Sequence, residues 1–304
     1  MLKKVCNNIV VFFLFIKRKI RYFYWIRHPK RLSEKVYFSV FNQKINWENP
    51  QNLNEKIHWL KFYSDTSQWA KLADKYKVRE YVIECGFEYM LNDLFAKYDS
   101  IDEIDISKLP FSFVLKANNG CGDTLIVKDK SKITNEEIKK YFKKITKERY
   151  GVFTAEPHYL QISPCIIAEK LLEKDSSSIS SSLIDYKFFC FDGEVKSILV
   201  CFNRKGSHSE FLTYDLDWNL TKNCIPFLFY EIPRPQSLSL MIEACNVLSK
   251  GFPFVRIDFY EVDRKPVFGE MTFTAGAGFL NHYTSEFLDE LGDYVVIDHL
   301  TNFR

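Results

Sequence analysis

Three pairs of β-prone runs, each joined by a short turn signal, constrain this chain more than any other feature. Residues 111–117 and 124–128 flank Asn118-Asn-Gly-Cys-Gly-Asp123, residues 184–191 and 195–202 flank Asp192-Gly193, and residues 254–260 and 266–273 flank a charged turn. Runs joined so closely pair antiparallel, because a parallel pair needs a crossover of a dozen residues or more. Helical signals fall between the pairs instead of alternating with single strands. The predicted class is therefore α+β, not a doubly wound parallel sheet.

The helices are read from spacing and caps. Leu53, Ile57 and Leu60 recur at helical intervals, and Trp69, Leu72, Ala73, Tyr76 and Val82 predict a second helix ending near Cys85-Gly86. Thr134 and Glu137 form a capping box ahead of Ile138, Phe142 and Ile145. A further helix over 241–250 is stopped by Gly251. Residues 90–106 should give a strand and a turn region, residues 165–172 a buried strand running into a connection, and the serine-rich residues 176–182 a flexible loop.

Composition narrows the chemistry. The 304 residues are 16% aromatic, so a core is easily built. Eight cysteines never approach within eleven positions, six histidines are scattered, and neither H-E-x-x-H nor G-x-S-x-G occurs. Zinc and serine hydrolases thus lose their usual support. No apolar run reaches 18 residues, and the run 9–16 is followed by Lys17, Arg18, Lys19 and Arg21 where a cleavage site would stand. The expected location is the cytoplasm.

Charge is unevenly placed. Residues 1–35 hold ten Lys/Arg and one acid, +9 against a net +3 for the chain, which leaves −6 for the rest. Bases interleaved with Phe12, Phe13, Phe15, Ile20, Phe23 and Trp25 suit an anionic membrane surface. The same pattern suits a basic helix packed on the body, and nucleic acid, a weaker fit, would attract the same charge.

Two segments carry chemistry. The glycine loop beside Lys116 lets backbone N–H groups approach phosphate oxygens, yet it lacks G-K-[ST] and leads into a strand, so it is either an ordinary hairpin turn or a flexible clasp on nucleotide phosphates. In residues 254–260, alternation puts Arg256 and Asp258 on one face and Val255, Ile257 and Phe259 on the other. A three-residue turn at Asp263-Arg264-Lys265 would set Asp258 opposite Glu270, with Thr272 nearby; a two-residue turn would move Glu270 off that face. Adjacent carboxylates repel unless a cation intervenes, and magnesium or simply Arg256 could supply it.

In order along the chain, residues 49–60, 72–81, 113–122, 167–172, Asp185-Tyr-Lys-Phe-Phe189, Val255-Arg-Ile-Asp-Phe259 and Gly269-Glu-Met-Thr-Phe273 resemble the ATP-grasp superfamily. The set is similar to its TupA-like branch, associated with teichuronopeptide biosynthesis and surface-polysaccharide genes. The resemblance spans residues 45–280 and implies an ATP-grasp fold of two α+β lobes. The expected organisation is a basic, aromatic helical extension (1–48), an N-terminal helical and strand subdomain (49–110), a small lobe with the glycine loop (111–168) and a large lobe with the metal site (169–304).

Residue by residue, the resemblance implies that Lys75 and Lys116 hold the α- and β-phosphates of ATP and that Gly120 and Gly122 belong to a mobile phosphate loop. Glu169, Lys170 and Leu172 would line the adenine pocket at the interlobe connection, partly through backbone groups, and Lys187 would reach toward the phosphates. Asp258 and Glu270 would hold Mg2+, and Arg256 would stabilise the transferring phosphoryl group or the tetrahedral intermediate. Many members carry Asn two residues beyond the metal-binding Glu; Thr272 stands there, so a second metal should be held more weakly or by other groups. From the residues alone, Lys75 also reads as a surface helix charge, Lys116 as a snorkelling strand lysine, and Lys170 and Lys187 as solvated charges.

The implied reaction is ATP-dependent amide formation between a small-molecule or glycan carboxylate and an amine, with the basic arm keeping the enzyme at the inner membrane face. A sugar kinase on the same nucleotide site and a non-catalytic membrane-surface scaffold are the competing expectations.

Overall fold

All three hairpin signals form, and they divide between two antiparallel sheets. The computed structural model describes residues 16–146, 148–174, 179–206 and 208–297. The first sheet has the order β1-β4-β2-β3, built from β1 (Leu94–Tyr98), β2 (Phe113–Ala117), β3 (Thr124–Val127) and β4 (Ile166–Glu169). The second has the order β10-β9-β5-β6-β7-β8. Its strands are β5 (Asp185–Phe191), β6 (Glu194–Lys205), β7 (His208–Tyr214), β8 (Leu220–Thr221), β9 (Val255–Val262) and β10 (Lys265–Thr272). The chain is α+β, as its turn signals predict.

The helices are α1 (residues 16–27), α2 (Pro29–Phe41), α3 (Leu53–Tyr63), α4 (Trp69–Leu72), α5 (Val78–Glu84), α6 (Asn135–Ile145), α7 (Leu238–Leu248) and α8 (Ser285–Asp293). The capping box at α6 is present, and the helix buries Ile138 and Phe142 against Phe113, Leu115 and Val127. Burying side chains of this size contributes roughly 1.5–3 kcal/mol each. In the second sheet, Ile198, Val200, Ile257 and Phe259 share a core with Met241, Cys245 and Leu248 of α7. Strand alternation therefore leaves Arg256, Asp258 and Lys187 on the opposite face.

Two expectations are corrected. The predicted helix over 69–85 is broken into α4 and α5, because Asp74 Oδ1 accepts from the N–H groups of Tyr76 (2.8 Å) and Lys77 (3.2 Å), drawing the chain out of the helical path. The last hairpin has a two-residue turn, not three: Val262 pairs with Lys265, and Asp263 and Arg264 take left-handed φ values of 50° and 64°. Glu270 nevertheless faces Asp258, because the register shifts between Phe268 and Glu270. Gly269 is the extra residue of that bulge, and a Cβ there would lie 2.9 Å from the Asp258 carbonyl oxygen.

The basic extension docks on the body. Arg18 donates to Glu148 through both Nε and Nη2, the Lys30 ammonium lies over the Trp47 and Tyr63 rings, and Trp47 Nε1 donates to Glu34 at 3.0 Å. Its outer side leaves Ile20, Phe23 and Phe38 more than half exposed, at 65, 54 and 52%. Residues 1–15 of the arm and 176–178 of the expected serine loop lie outside the described residues. Among the described residues no helix is long and apolar enough to cross a membrane.

Candidate active site

The break between α4 and α5 delivers Lys75 to the glycine loop. Its backbone N–H donates to Asn118 O at 3.0 Å, and its Nζ donates to Gly120 O at 2.6 Å. The loop is pinned at its base, where Asn118 Oδ1 accepts from Cys165 N and Nδ2 donates to Ser163 O. At its tip, Gly122 has φ +80° with open space where a Cβ would stand. Gly120 is tighter, since a Cβ there would meet Asp123 Oδ2 at 2.6 Å.

The same Lys75 ammonium stands 3.2 Å from Glu270 Oε2. One side chain thus joins the glycine loop of the first sheet to the acidic face of the second. On that face Asp258 is buried, and Arg256 donates to both its oxygens, Nε to Oδ1 at 2.6 Å and Nη2 to Oδ2 at 2.7 Å. Lys187, directly across from Asp258 in the β5–β9 register, donates to Oδ2. Thr272 Oγ1 is 3.2 Å from Arg256 Nη2 and donates to Glu270 Oε1 at 3.3 Å.

The charges are mutually dependent. Burial raises the Glu270 carboxyl, but Lys75, Arg256 and Lys187 outweigh it and hold the group at about 2. Burial pulls the Lys187 ammonium down, and Asp185 and Asp258 more than reverse this, so its pKa is raised. Burial pushes the Asp258 carboxyl up against the opposing pull of Arg256 and Lys187.

A narrow cleft between the sheets continues from Lys75 to an apolar stretch at Leu91, Leu172 and Phe268. Lys116 and Glu169 line it as an ion pair at 2.7 Å. Lys170 does not. Its side chain is 60% exposed and stands 3.4 Å from Asp93, while its backbone N–H and C=O bond Asp93 O and Asn92 Nδ2. Arg79 and Asp185 belong to the site and escaped the sequence reading as individual residues. Arg79 lines the cleft, donates to Asn92 O at 2.9 Å and approaches Glu169; Asp185 is buried and pairs with Lys187 at 2.6 Å. Their one signal was position within segments that also carry Lys75 and Lys187.

The donor set fits a divalent ion shared with a polyphosphate. Asp258 and Glu270 supply hard oxygens side by side, and Lys75, Lys116, Lys187 and Arg256 supply positive charge around them. Among the described residues no cluster of three or more His, Cys, Asp or Glu forms a cage of protein ligands alone. The paired carboxylates suit magnesium, which typically takes one or two and completes its shell with water and phosphate.

No curated protein matches the sequence. Solved structures with a similar course include a D-alanine–D-alanine ligase from Bacillus anthracis complexed with ATP, at 15% identity and TM-score 0.46, covering 76% of this chain and 67% of that one. An L-amino acid ligase from Bacillus licheniformis matches at 17% identity and TM-score 0.41, covering 68% of this chain and 42% of that one. The family description "TupA-like ATPgrasp" matches residues 55–296, and with so much of its length accounted for, the chain belongs to the TupA-like ATP-grasp family.

Proposed function

We propose that this protein is an ATP- and magnesium-dependent carboxylate–amine ligase. A substrate carboxylate oxygen would attack the γ-phosphorus and release ADP, giving an acyl phosphate. An amine nitrogen would then attack the carbonyl carbon and expel inorganic phosphate, leaving an amide. The observation that carries this reading is the Lys75 ammonium shared by the Gly120 carbonyl and Glu270, which sets a phosphate clasp against a metal-competent acid pair.

In this reading Lys75, Lys116 and Lys187 neutralise and position the phosphates, and Gly120 and Gly122 let backbone N–H groups close over them. Glu169 and Leu172 border the adenine pocket. Arg256, with both Asp258 and Glu270 as partners, stabilises charge on the transferring group. Asp258 and Glu270, assisted by Thr272, would hold magnesium, which supplies charge neutralisation between the phosphates. The family resemblance favours a surface-polysaccharide carboxylate, such as a uronic acid, joined to an amino acid or another amine. The outward Ile20, Phe23 and Phe38 among arginines and lysines support a peripheral seat on the anionic inner membrane face.

The test combines turnover and product mass. Asp258→Asn and Glu270→Gln should each lower magnesium-dependent ATP turnover by about a thousandfold while the fold persists. Uronic acids and amino acids supplied together should yield a product lighter by one water than their sum. Phosphate retained on a sugar with no requirement for an amine would select the kinase, and absence of ATP binding at millimolar nucleotide would select the scaffold.

A further inference from the structure

The oxygens of the acid pair are already engaged by protein cations. Arg256 occupies both oxygens of Asp258, Lys187 shares Oδ2, Arg256 Nη2 reaches Glu270 Oε1 at 3.3 Å, and Lys75 stands against Glu270 Oε2. A divalent ion coordinated at about 2.1 Å to these oxygens has to displace them. Lys187 is buried, and a buried ammonium stripped of its counter-charge costs several kcal/mol. It needs another acceptor before it can leave.

Asp185 is that acceptor. It lies two positions before Lys187 on β5, is 3% exposed, and already holds the ammonium through Oδ2 at 2.6 Å, an oxygen it shares with Arg204 at 2.9 Å. Its Oδ1 is buried and accepts no hydrogen bond. A desolvated carboxylate oxygen without a donor is unfavourable, and here a donor sits beside it, tied for the moment to Asp258. We propose that Asp185 is a positioning residue that draws Lys187 off Asp258 as a divalent ion enters, its unpaired Oδ1 giving the ammonium a second acceptor. Without the ion, Lys187 and Arg256 occupy the oxygens of Asp258, and Arg256 and Lys75 those of Glu270.

This rests on the proposed metal role of Asp258 and Glu270, and its test separates the two. Binding of Mn2+ alone to the full chain, without nucleotide, is followed by loss of the free Mn2+ paramagnetic resonance signal. Lys187→Met should tighten Mn2+ about tenfold by removing the competitor, and Asp185→Asn should weaken it about tenfold by leaving Lys187 on Asp258. In the Lys187→Met background, Asp185→Asn should change affinity by less than about twofold, since Asp185 then has no lysine to hold. Equal weakening in both backgrounds would mean that Asp185 acts only through its charge, and would overturn the inference while leaving the metal reading intact. Lys187→Met, read alone, decides the matter if Asp185→Asn does not fold: unchanged or weaker Mn2+ binding overturns the proposal. No Mn2+ binding by the unaltered protein overturns both.

Discussion

Two glycine segments flank the site, and they are held in opposite ways. Residues 118–122 are fixed at Asn118 and bonded by Lys75, whose flexible side chain reaches on to Glu270; at the tip Cys121 is exposed and Gly122 has open space where a Cβ would stand. Ala275–Gly278, just beyond β10, is clamped by α3. Lys61 Nζ donates to Ala277 O at 2.9 Å, His58 Nε2 lies 3.0 Å from Gly278 O, and Asn54 exchanges hydrogen bonds with Leu280. Gly276, Ala277 and Gly278 all have left-handed backbone, at φ 54°, 56° and 82°. On the proposed function, the segment that would admit and release a nucleotide reaches the acid pair through a long, flexible side chain, while the segment that follows the strand of Glu270 is locked by a helix. The difference separates what can move from what has to stay.

The largest effect should come from the locked side. A Cβ on Gly278 would lie 2.9 Å from His58 Nε2 at a backbone angle that already disfavours it. Gly278→Ala should cost about 3 kcal/mol in chemical denaturation. A cost below 1 kcal/mol would break the contrast. On the loose side, Lys75→Met should weaken nucleotide binding about thirtyfold, the scale of one charge-assisted contact, while the thermal midpoint barely changes. A large loss of stability would show Lys75 to be structural.

The buried histidines near the clamp sharpen the contrast through pH. Burial, aided by Lys61, lowers His158 to about 3 and His58 well below its ordinary range. Both groups bind protons in the unfolded chain before they do so in the fold. Stability should therefore be full above about pH 6.5 and fall as pH drops toward 3, by up to about 1.4 kcal/mol per pH unit for each histidine. His158→Gln should flatten that slope over pH 6 to 4 in denaturation curves, and an unchanged slope would count against it. The smallest effect belongs to Gly122→Ala, which meets no neighbour. It should cost about 1 kcal/mol for its positive φ and raise the KM for ATP a few-fold.

Much of this arrangement was legible in the chain itself. Asp192-Gly193 marked its hairpin, Thr134 and Glu137 marked α6, and the alternation of Arg256 and Asp258 placed both on one face. The failures have specific causes. The helix predicted over 69–85 counted apolar spacing and gave no weight to Asp74, whose side chain competes for the backbone and so frees Lys75 for the loop. Asp185 and Arg79 sat in plain view, but Asp258, which shares Lys187 with Asp185, Arg204, which pairs with Asp185, and Glu169, which Arg79 approaches, lie on strands brought near only by tertiary pairing. Residues 170–172 follow β4 without regular structure, so no periodicity told which of them faces the cleft, and Lys170 turned out to face solvent.

The bulge at Gly269 makes the chemistry of this hairpin a matter of parity. Glu270 shares a side with Asp258 because a short turn and one surplus residue cancel each other's half-step. A regular ladder that kept Gly269 would set Gly269 opposite Asp258 and swing the carboxylate into the hydrocarbon interior, whereas deleting Gly269 would leave Glu270 opposite Asp258. Length changes confined to the turn or to the bulge should therefore be tolerated, and an insertion between Glu270 and its paired neighbours that shifts the register by one should silence the site even where every side chain that serves it is retained.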